Sequence, residues 1–290
     1  MKKIIAFITA LTLFLVLASC STAETSVQIA ATTLPVFEIT SRLCQGSGIH
    51  VARLITENVS CLHDYTLQVD QMRMIEAAEL IVVSGAGLES FLHDIFQNEQ
   101  NYIVASQGIP LLCHEHNEEH DEHYHDRDPH IWLSPINAKL MAKNIYSGLV
   151  SRYPAYESLF EHNLALLNQD FDTLIQYAET QLSSLRCREL ITFHDGFAYM
   201  ADAFDLTILH AIEEESGSET SAAELIELIE TVQQNKLPAI FSENNASIAA
   251  ASIIAAETNV QIYQLDMAMA SSSYFDAMYY NIDTLKEALG

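Results

Sequence analysis

Basic residues are scarce in this chain, which has 13 lysines and arginines against 39 aspartates and glutamates in 290 residues. The resulting formal net charge of -26 repels nucleic acid phosphates and argues against nucleic acid as a partner. The same charge is compatible with attracting cations. Hydrophobic residues make up 49% of the chain, so global disorder is excluded despite the charge. The length suggests roughly two domains.

The sequence also lacks two common hydrolase signatures. It contains no HExxH helix and no nucleophile elbow, the motifs of zinc peptidases and of serine hydrolases. It has no short-period repeat either. A zinc hydrolase would still need an open coordination position for water and a nearby general base. We therefore expect that the protein is not an enzyme.

No apolar run is long enough to span a bilayer comfortably. The longest covers residues 4–17, follows Lys2 and Lys3, and ends in the sequence LASC at Cys20. This pattern is typical of an export signal, and its end resembles a bacterial lipobox. We expect a signal peptide over residues 1–19, lipid on Cys20 and a short linker over residues 20–26. The alternatives are an ordinary signal peptide with an incidental cysteine, or an N-terminal anchor helix.

Cysteines are few, and four remain beyond Cys20. An even number outside the reducing cytosol permits disulfides, although the sequence does not fix their pairing. Two of them stand beside histidines and could contact a metal, but paired or plainly buried cysteines are the preferred interpretation. The four are Cys44, Cys61, Cys113 and Cys187.

Short apolar segments alternate with helical patterns on both sides of a long uninterrupted stretch. Such alternation predicts parallel sheets built from βα units. The first lobe is assigned to residues 27–153, with strands at 27–32, 51–55, 80–83 and 102–105. Helices within it are predicted at 68–78, where Met72, Ile75 and Ala78 recur at helical spacing, and at 88–96. The second lobe is assigned to residues 187–290, with strands at 190–193, 207–212, 239–242 and 260–265. Residues 154–186 have no glycine or proline after Pro154, which predicts one linking helix of about 30 residues, roughly 45 Å long.

Histidine is the residue whose distribution is most informative. Five of the 12 histidines crowd a charged loop over residues 113–128, and we expect this loop to be mobile. Neutral imidazole is the commonest zinc ligand in proteins. The loop therefore predicts an auxiliary metal-collecting or metal-sensing segment, with a solvated acidic loop as the alternative. Its histidines are His114, His116, His120, His123 and His125.

Three further histidines stand alone at comparable places. His63 lies in a loop after a predicted strand, His130 precedes a helix in a DPH turn, and His194 ends a strand, as does Asp266. Ligands gather outside the carboxyl ends of strands in open α/β sheets. Two sheets facing each other across a cleft could bring these four groups together, and three imidazoles with one carboxylate form a closed tetrahedral zinc site.

These motifs resemble a known family. The segments HDYTLQVDQMRMIEAAELIVVSGAGLESFL, DPHIWLSPINAKLMAKNI, ITFHDGFAYMADAF and LPAIFSENNASIAAASIIAAETNVQIYQLD are similar to the metal-binding solute receptors of bacterial ABC importers, most closely their zinc branch. The resemblance covers nearly all of the mature chain. It implies a fold of two α/β lobes, each a mostly parallel sheet flanked by helices, joined by one long helix, with a metal at the lobe interface.

The resemblance also implies a site and partners. It makes His63, His130 and His194 metal ligands and Asp266 the carboxylate that closes the site; water or Glu243 are the alternatives for the fourth position. Manganese-type members usually have a carboxylate at the third position, where this chain has His194, and imidazole favours Zn²⁺ over Mn²⁺. The expected partners are an ABC permease and its ATPase, and the protein itself is expected to be a monomer.

The sequence therefore predicts an extracytoplasmic receptor, lipid-anchored on the outer face of the cell membrane or periplasmic, that captures Zn²⁺ and delivers it to an importer. A surface adhesin or a metal buffer of the same fold is the alternative, and a zinc-dependent hydrolase is a weaker one.

Overall fold

The computed structural model describes residues 28–57, 59, 62, 65–92, 101–113, 127–212, 220–244 and 248–290. Several predicted features lie outside the described residues: the signal peptide, Cys20, Cys61, His63 and the five histidines of the charged loop. Within the described residues no helix is both long enough and apolar enough to cross a membrane.

The first sheet has four parallel strands in the order β2-β1-β3-β4. Its strands are short, and every residue of β1 and β3 is buried, as expected for a parallel sheet covered on both faces. Gly85 lies two residues after β3, has a φ of +85° and leaves no room for a Cβ beside the Ser106 hydroxyl. The strands are β1 Ile29–Ala31, β2 Val51–Arg53, β3 Leu80–Val83 and β4 Tyr102–Val104.

The second sheet repeats this arrangement with four parallel strands in the order β6-β5-β7-β8. In both sheets the first strand of the lobe lies between the second and the third, so the two lobes share one topology. The strands are β5 Glu189–Thr192, β6 Thr207–Ala211, β7 Ala239–Glu243 and β8 Gln261–Leu265.

Eight α-helices flank the sheets within the described residues. They are α1 Leu34–Leu43, α2 Val69–Ala77, α3 Pro135–Arg152, α4 Glu157–Leu182, α5 Ala198–Ala203, α6 Ala222–Asn235, α7 Ala249–Thr258 and α8 Tyr274–Leu289. Single turns of 3-10 helix occur at Ser90–Leu92, Ile131–Leu133 and Pro154–Tyr156.

The long helix α4 joins the lobes. Its 26 residues span about 39 Å at 1.5 Å per residue. Phe160, Leu167, Phe171 and Leu174 form its buried stripe, which packs against α1 and α3 of the first lobe and α8 of the second. The predicted helix from Pro154 is interrupted at its start, because residues Pro154–Tyr156 form a separate 3-10 turn.

One hydrophobic core runs from the first sheet past α4 into the second lobe, and a smaller core lies between the second sheet and helices α6 and α7. The predicted fold class, two α/β lobes with parallel sheets and a long linking helix, is thus confirmed.

Candidate metal centre

The candidate centre lies where strands of the second sheet end and face the first lobe. His194 comes two residues after β5, Glu243 is the last residue of β7, and Asp266 directly follows β8. His130, from the first lobe, directly precedes the turn Ile131–Leu133. The carboxyl edge of a parallel sheet is where ligands of α/β proteins bind.

His130 is held by a carboxylate two residues before it. The Asp128 Oδ1 atom accepts the His130 backbone N–H at 2.8 Å and lies 2.8 Å from the His130 Nδ1 atom. The two side chains are only 3% and 1% exposed. When Nδ1–H donates to this carboxylate, the lone pair of His130 is on Nε2, which is the tautomer that binds a metal.

His194 faces His130 across the lobe interface. Their Nε2 atoms are 3.5 Å apart, and their ring planes are nearly perpendicular, at 83°. Two Zn–N bonds of about 2.0–2.1 Å at a tetrahedral angle would place the nitrogens about 3.3 Å apart. One zinc ion therefore fits between these imidazoles with little movement of either ring.

Glu243 lies on the Nδ1 side of His194, just as Asp128 lies on the Nδ1 side of His130. Its Oε2 atom lies 3.5 Å from His194 Nδ1, and its side chain is 3% exposed. The contact is with the nitrogen that points away from His130. This geometry favours Glu243 as a residue that orients His194 rather than as a metal ligand.

Gly196 gives the His194 ring its space. A Cβ at this position would lie 2.6 Å from His194 Cδ2 and 2.7 Å from the Met267 terminal methyl carbon. Met267 is held in turn, because its carbonyl oxygen accepts the indole N–H of Trp132 at 2.8 Å. The Trp132 ring also packs 5.4 Å from the His130 ring, so both imidazoles are confined by buried neighbours.

Asp266 is engaged within its own turn. Its Oδ1 atom accepts the Ala268 N–H at 2.7 Å, and its Oδ2 atom accepts the Ser271 hydroxyl and lies 3.4 Å from Asn244 Nδ2. Among the described residues, no three His, Cys, Asp or Glu side chains are grouped closely enough to hold a metal ion. The structure therefore brings two predicted ligands together, His130 and His194, and the roles of His63 and Asp266 stay predictions.

The described residues next to His63 are anchored in the first lobe. Leu62 is fully buried, and the Tyr65 hydroxyl donates to Glu57 Oε2 at 3.0 Å. The Gln71 amide donates to Glu57 Oε1 at 3.0 Å and to the Leu54 carbonyl oxygen at 3.1 Å. Burial is the largest of the effects that raise the pKa of Tyr65, so the phenol keeps its proton for this bond.

The charged loop starts and ends beside the centre. Its ends meet in an antiparallel bridge between Cys113 and Arg127, and the Asp128 N–H donates to the Leu112 carbonyl oxygen at 3.0 Å. We call Leu112, Cys113, Arg127 and Asp128 the loop neck. Because Asp128 also holds His130, the charged loop emerges directly at the candidate centre.

The described cysteines form no disulfides with one another. Cys44, Cys113 and Cys187 are all free thiols, and burial raises the pKa of the Cys44 thiol to about 12. A thiol with a raised pKa is a poor metal ligand, because thiolate is the binding form. Cys44 is thus a buried structural residue.

Sequence reasoning missed Asp128, and it considered Glu243 as an alternative metal ligand rather than as a partner of His194. Asp128 had a local signal, since a carboxylate two residues before a histidine can accept its backbone N–H. No local sequence signal connects Glu243 with His194, because the two residues are brought together by the pairing of β5 with β7.

Comparison with known proteins places the chain among zinc-uptake components. Residues 29–288 match the family model described as zinc-uptake complex component A, periplasmic. The chain is 28% identical over 309 residues to the high-affinity zinc uptake system protein ZnuA of Bacillus subtilis, covering 95% of this chain and 94% of that protein. It is 29% identical over 311 residues to the zinc-binding lipoprotein AdcA of Streptococcus pneumoniae, covering 99% of this chain but 61% of AdcA.

A solved structure agrees with the sequence relatives. The crystal structure of ZnuA superposes with a TM-score of 0.80 at 27% identity, over 91% of this chain and 100% of that one.

Proposed function

The chain belongs to the zinc-uptake complex component A family, and from this membership we propose that it binds Zn²⁺ outside the cytoplasm and delivers it to the permease and ATPase of an ABC importer. The relatives support this proposal by name, one as a high-affinity zinc uptake system protein and one as a zinc-binding lipoprotein. The match covers only 61% of AdcA. The proposal therefore relies only on the part of AdcA that this chain matches.

One observation carries the proposal. The Nε2 atoms of His130 and His194 lie 3.5 Å apart, and the Nδ1 atom of each ring faces a buried carboxylate. Imidazole donors suit zinc better than manganese, so Mn²⁺ is the second choice. We propose His63 as the third ligand and Asp266 as the fourth, with water as the alternative to Asp266.

The protein would bind and release zinc without catalysing a reaction. A centre with four protein ligands leaves no position for the activated water that a zinc hydrolase needs. We also propose that Cys20 carries lipid that holds a monomeric protein at the membrane, as the name of the lipoprotein relative suggests. The five histidines of the charged loop would collect zinc near the loop neck.

Calorimetry on the mature protein tests the centre. His63→Ala, His130→Ala and His194→Ala should each weaken zinc binding by more than the roughly 10–100-fold that loss of an orienting partner costs. His162→Ala is the matched control, because His162 is exposed on α4. Wild-type affinity in all three ligand variants would refute the assignment.

A growth test addresses transport. A strain without the gene should fail to grow only when zinc is limiting, and the wild-type gene but not His130→Ala should restore growth. An adhesin or a metal buffer predicts normal growth under zinc limitation.

A further inference from the structure

Tyr199 crosses the lobe interface beside the candidate centre. It belongs to α5 of the second lobe, and only 3% of it is exposed. Its hydroxyl oxygen accepts the Leu112 backbone N–H at 2.9 Å and donates to the Asp128 carbonyl oxygen at 3.0 Å. Both partners are loop-neck residues of the first lobe, so one phenol holds both ends of the charged loop against the second lobe.

The phenol is suited to this double role. Burial raises the pKa of Tyr199 to about 12, and the nearby Asp128 charge contributes in the same direction. The hydroxyl therefore stays protonated at neutral pH and can donate to a carbonyl while it accepts an N–H. A phenylalanine would fill the same space but would leave the part-buried Leu112 N–H and the buried Asp128 carbonyl oxygen without this partner.

Asp128 connects this contact to the metal site. Its carbonyl oxygen bonds to Tyr199, its backbone N–H bonds to Leu112, and its carboxylate holds His130. Tyr199 also lies five positions after His194, in the first turn of α5. The contact therefore fixes Asp128 relative to the part of the second lobe that carries the opposing imidazole.

We propose that Tyr199 is a positioning residue of the zinc centre, which acts through Asp128 to set the orientation of His130 relative to His194. This inference rests on the proposed zinc-binding function. A hydrogen bond that only stabilised the lobe interface would affect unfolding but would leave the geometry of the bound metal unchanged.

The first test is Tyr199→Phe in the full mature chain. Zinc affinity is measured by competition with a chromophoric chelator, and the visible absorption of bound Co²⁺ reports the ligand geometry. We expect the Kd for zinc to rise about three- to tenfold, less than for direct loss of an orienting carboxylate, and the Co²⁺ spectrum to change. Tyr177→Phe is the matched control, because its hydroxyl donates to Asp283 on an exposed surface at 2.6 Å; it should change neither readout.

A double-mutant cycle identifies the path. Tyr199→Phe should lose most of its effect on affinity when added to Asp128→Asn, and should keep its full effect when added to Glu243→Gln, which touches the other histidine. An effect equally large in both backgrounds overturns the inference, as does a wild-type Kd with an unchanged Co²⁺ spectrum in Tyr199→Phe.

Failure of the proposed function is recognised separately. If His130→Ala does not alter zinc binding in the otherwise wild-type chain, the zinc centre itself is wrong and the inference falls with it. If Tyr199→Phe does not fold, hydrogen exchange of the unmodified protein provides the test. The Leu112 amide should exchange more slowly after zinc is added, and an unchanged rate overturns the inference.

Discussion

Each imidazole of the described pair has a buried carboxylate on its Nδ1 side. Asp128 serves His130 and Glu243 serves His194, and both carboxylates are at most 3% exposed. Such partners fix the tautomer and raise the basicity of a metal-binding histidine. A buried carboxylate is costly unless it is paired, so these contacts also explain how the protein tolerates two buried acids near its interface.

Replacing Glu243 by glutamine should weaken zinc binding while the metal ligands stay in place. Glutamine keeps the size of the side chain but removes the negative charge beside His194 Nδ1. We expect the Kd for zinc to rise about 10–100-fold, measured by chelator competition. Asp172→Asn is the control, because Asp172 pairs with Lys139 on the surface and its side chain is 62% exposed. A Kd equal to that of the control would remove Glu243 from the site.

Replacing Gly196 by alanine should disturb the centre without removing any donor atom. The new methyl would lie 2.6 Å from His194 Cδ2 and 2.9 Å from His194 Nε2, so the ring must shift from its present position. We expect weaker zinc binding and a loss of stability of about 1–3 kcal/mol from overpacking, measured by competition and by urea unfolding.

Gly148→Ala separates these two effects. Its new methyl would lie 2.5 Å from the Ile103 side chain, in the first lobe. This control should lose comparable stability but keep its zinc affinity. Equal affinity losses in the two variants would show that Gly196 acts through stability alone.

Candidate ligands were easier to predict from the sequence than the residues that contact them. His130 and His194 lie in distinctive motifs, and the structure places their Nε2 atoms in reach of one ion. Their partners depend on geometry that motifs do not encode, because Glu243 meets His194 only through adjacent strands. The predicted position of Asp266 directly after β8 is confirmed, whereas its role as a ligand stays a prediction. Hydrogen bonds within its own turn occupy both carboxylate oxygens.

At the scale of elements, the ends of β1 and β3 are joined by one buried acid. Glu89 accepts the Thr32 hydroxyl at 2.6 Å and the backbone N–H groups of Ser84 and Gly85 at 2.8 and 2.9 Å. Burial raises the pKa of Glu89 above its ordinary value of 4.5, although these three donors act in the opposite direction. Ionisation of Glu89 therefore costs more in the folded than in the unfolded protein.

This shift predicts how stability depends on pH. A raised pKa in the folded state means that the contribution of Glu89 is fully present below its unfolded pKa and is lost as pH rises through the folded pKa. The difference in unfolding free energy between wild type and Glu89→Gln should therefore become less favourable to wild type as pH rises from about 4 towards neutrality. Urea unfolding at several pH values measures it, and a difference that grows with pH would contradict the assignment.

Regular elements were predictable where their pattern was long or strongly apolar. All eight strands lie within or one residue from their predicted spans, because buried parallel strands are continuous apolar runs. Residues 88–96 were expected to be helical, but their described part forms only the 3-10 turn Ser90–Leu92. Met72 was expected on the buried face of its helix, yet it is 53% exposed, because Gln71 and Ile75 are the residues of α2 that face the core.

For the whole molecule, the lobe interface consists of more than the linking helix. The Tyr274 hydroxyl donates to the Trp132 carbonyl oxygen at 2.8 Å. Glu38 of α1 accepts the Tyr274 backbone N–H at 2.6 Å and so caps the first turn of α8 in the other lobe. These contacts, together with the continuous core along α4, favour small tilts of the lobes over a wide hinge motion.

Arg53 provides a test of how this interface governs zinc release. At the end of β2, its guanidinium donates from Nη2 to the Met269 carbonyl oxygen of the second lobe at 2.9 Å and from Nε to the Ile55 carbonyl oxygen at 2.5 Å. Met269 lies three residues after Asp266 in the same segment as Met267, whose terminal methyl group lies close to Gly196. Loss of the inter-lobe bond should therefore make opening of the centre easier.

We expect Arg53→Gln to speed zinc dissociation roughly fivefold, which corresponds to a hydrogen bond worth about 1 kcal/mol. Stopped-flow mixing of the zinc-loaded protein with excess chelator measures this rate. Arg152→Gln is the control, because Arg152 is exposed at the end of α3, and it should release zinc at the wild-type rate. If Arg53→Gln also releases zinc at that rate, opening of the centre does not involve separation of the lobes at Arg53.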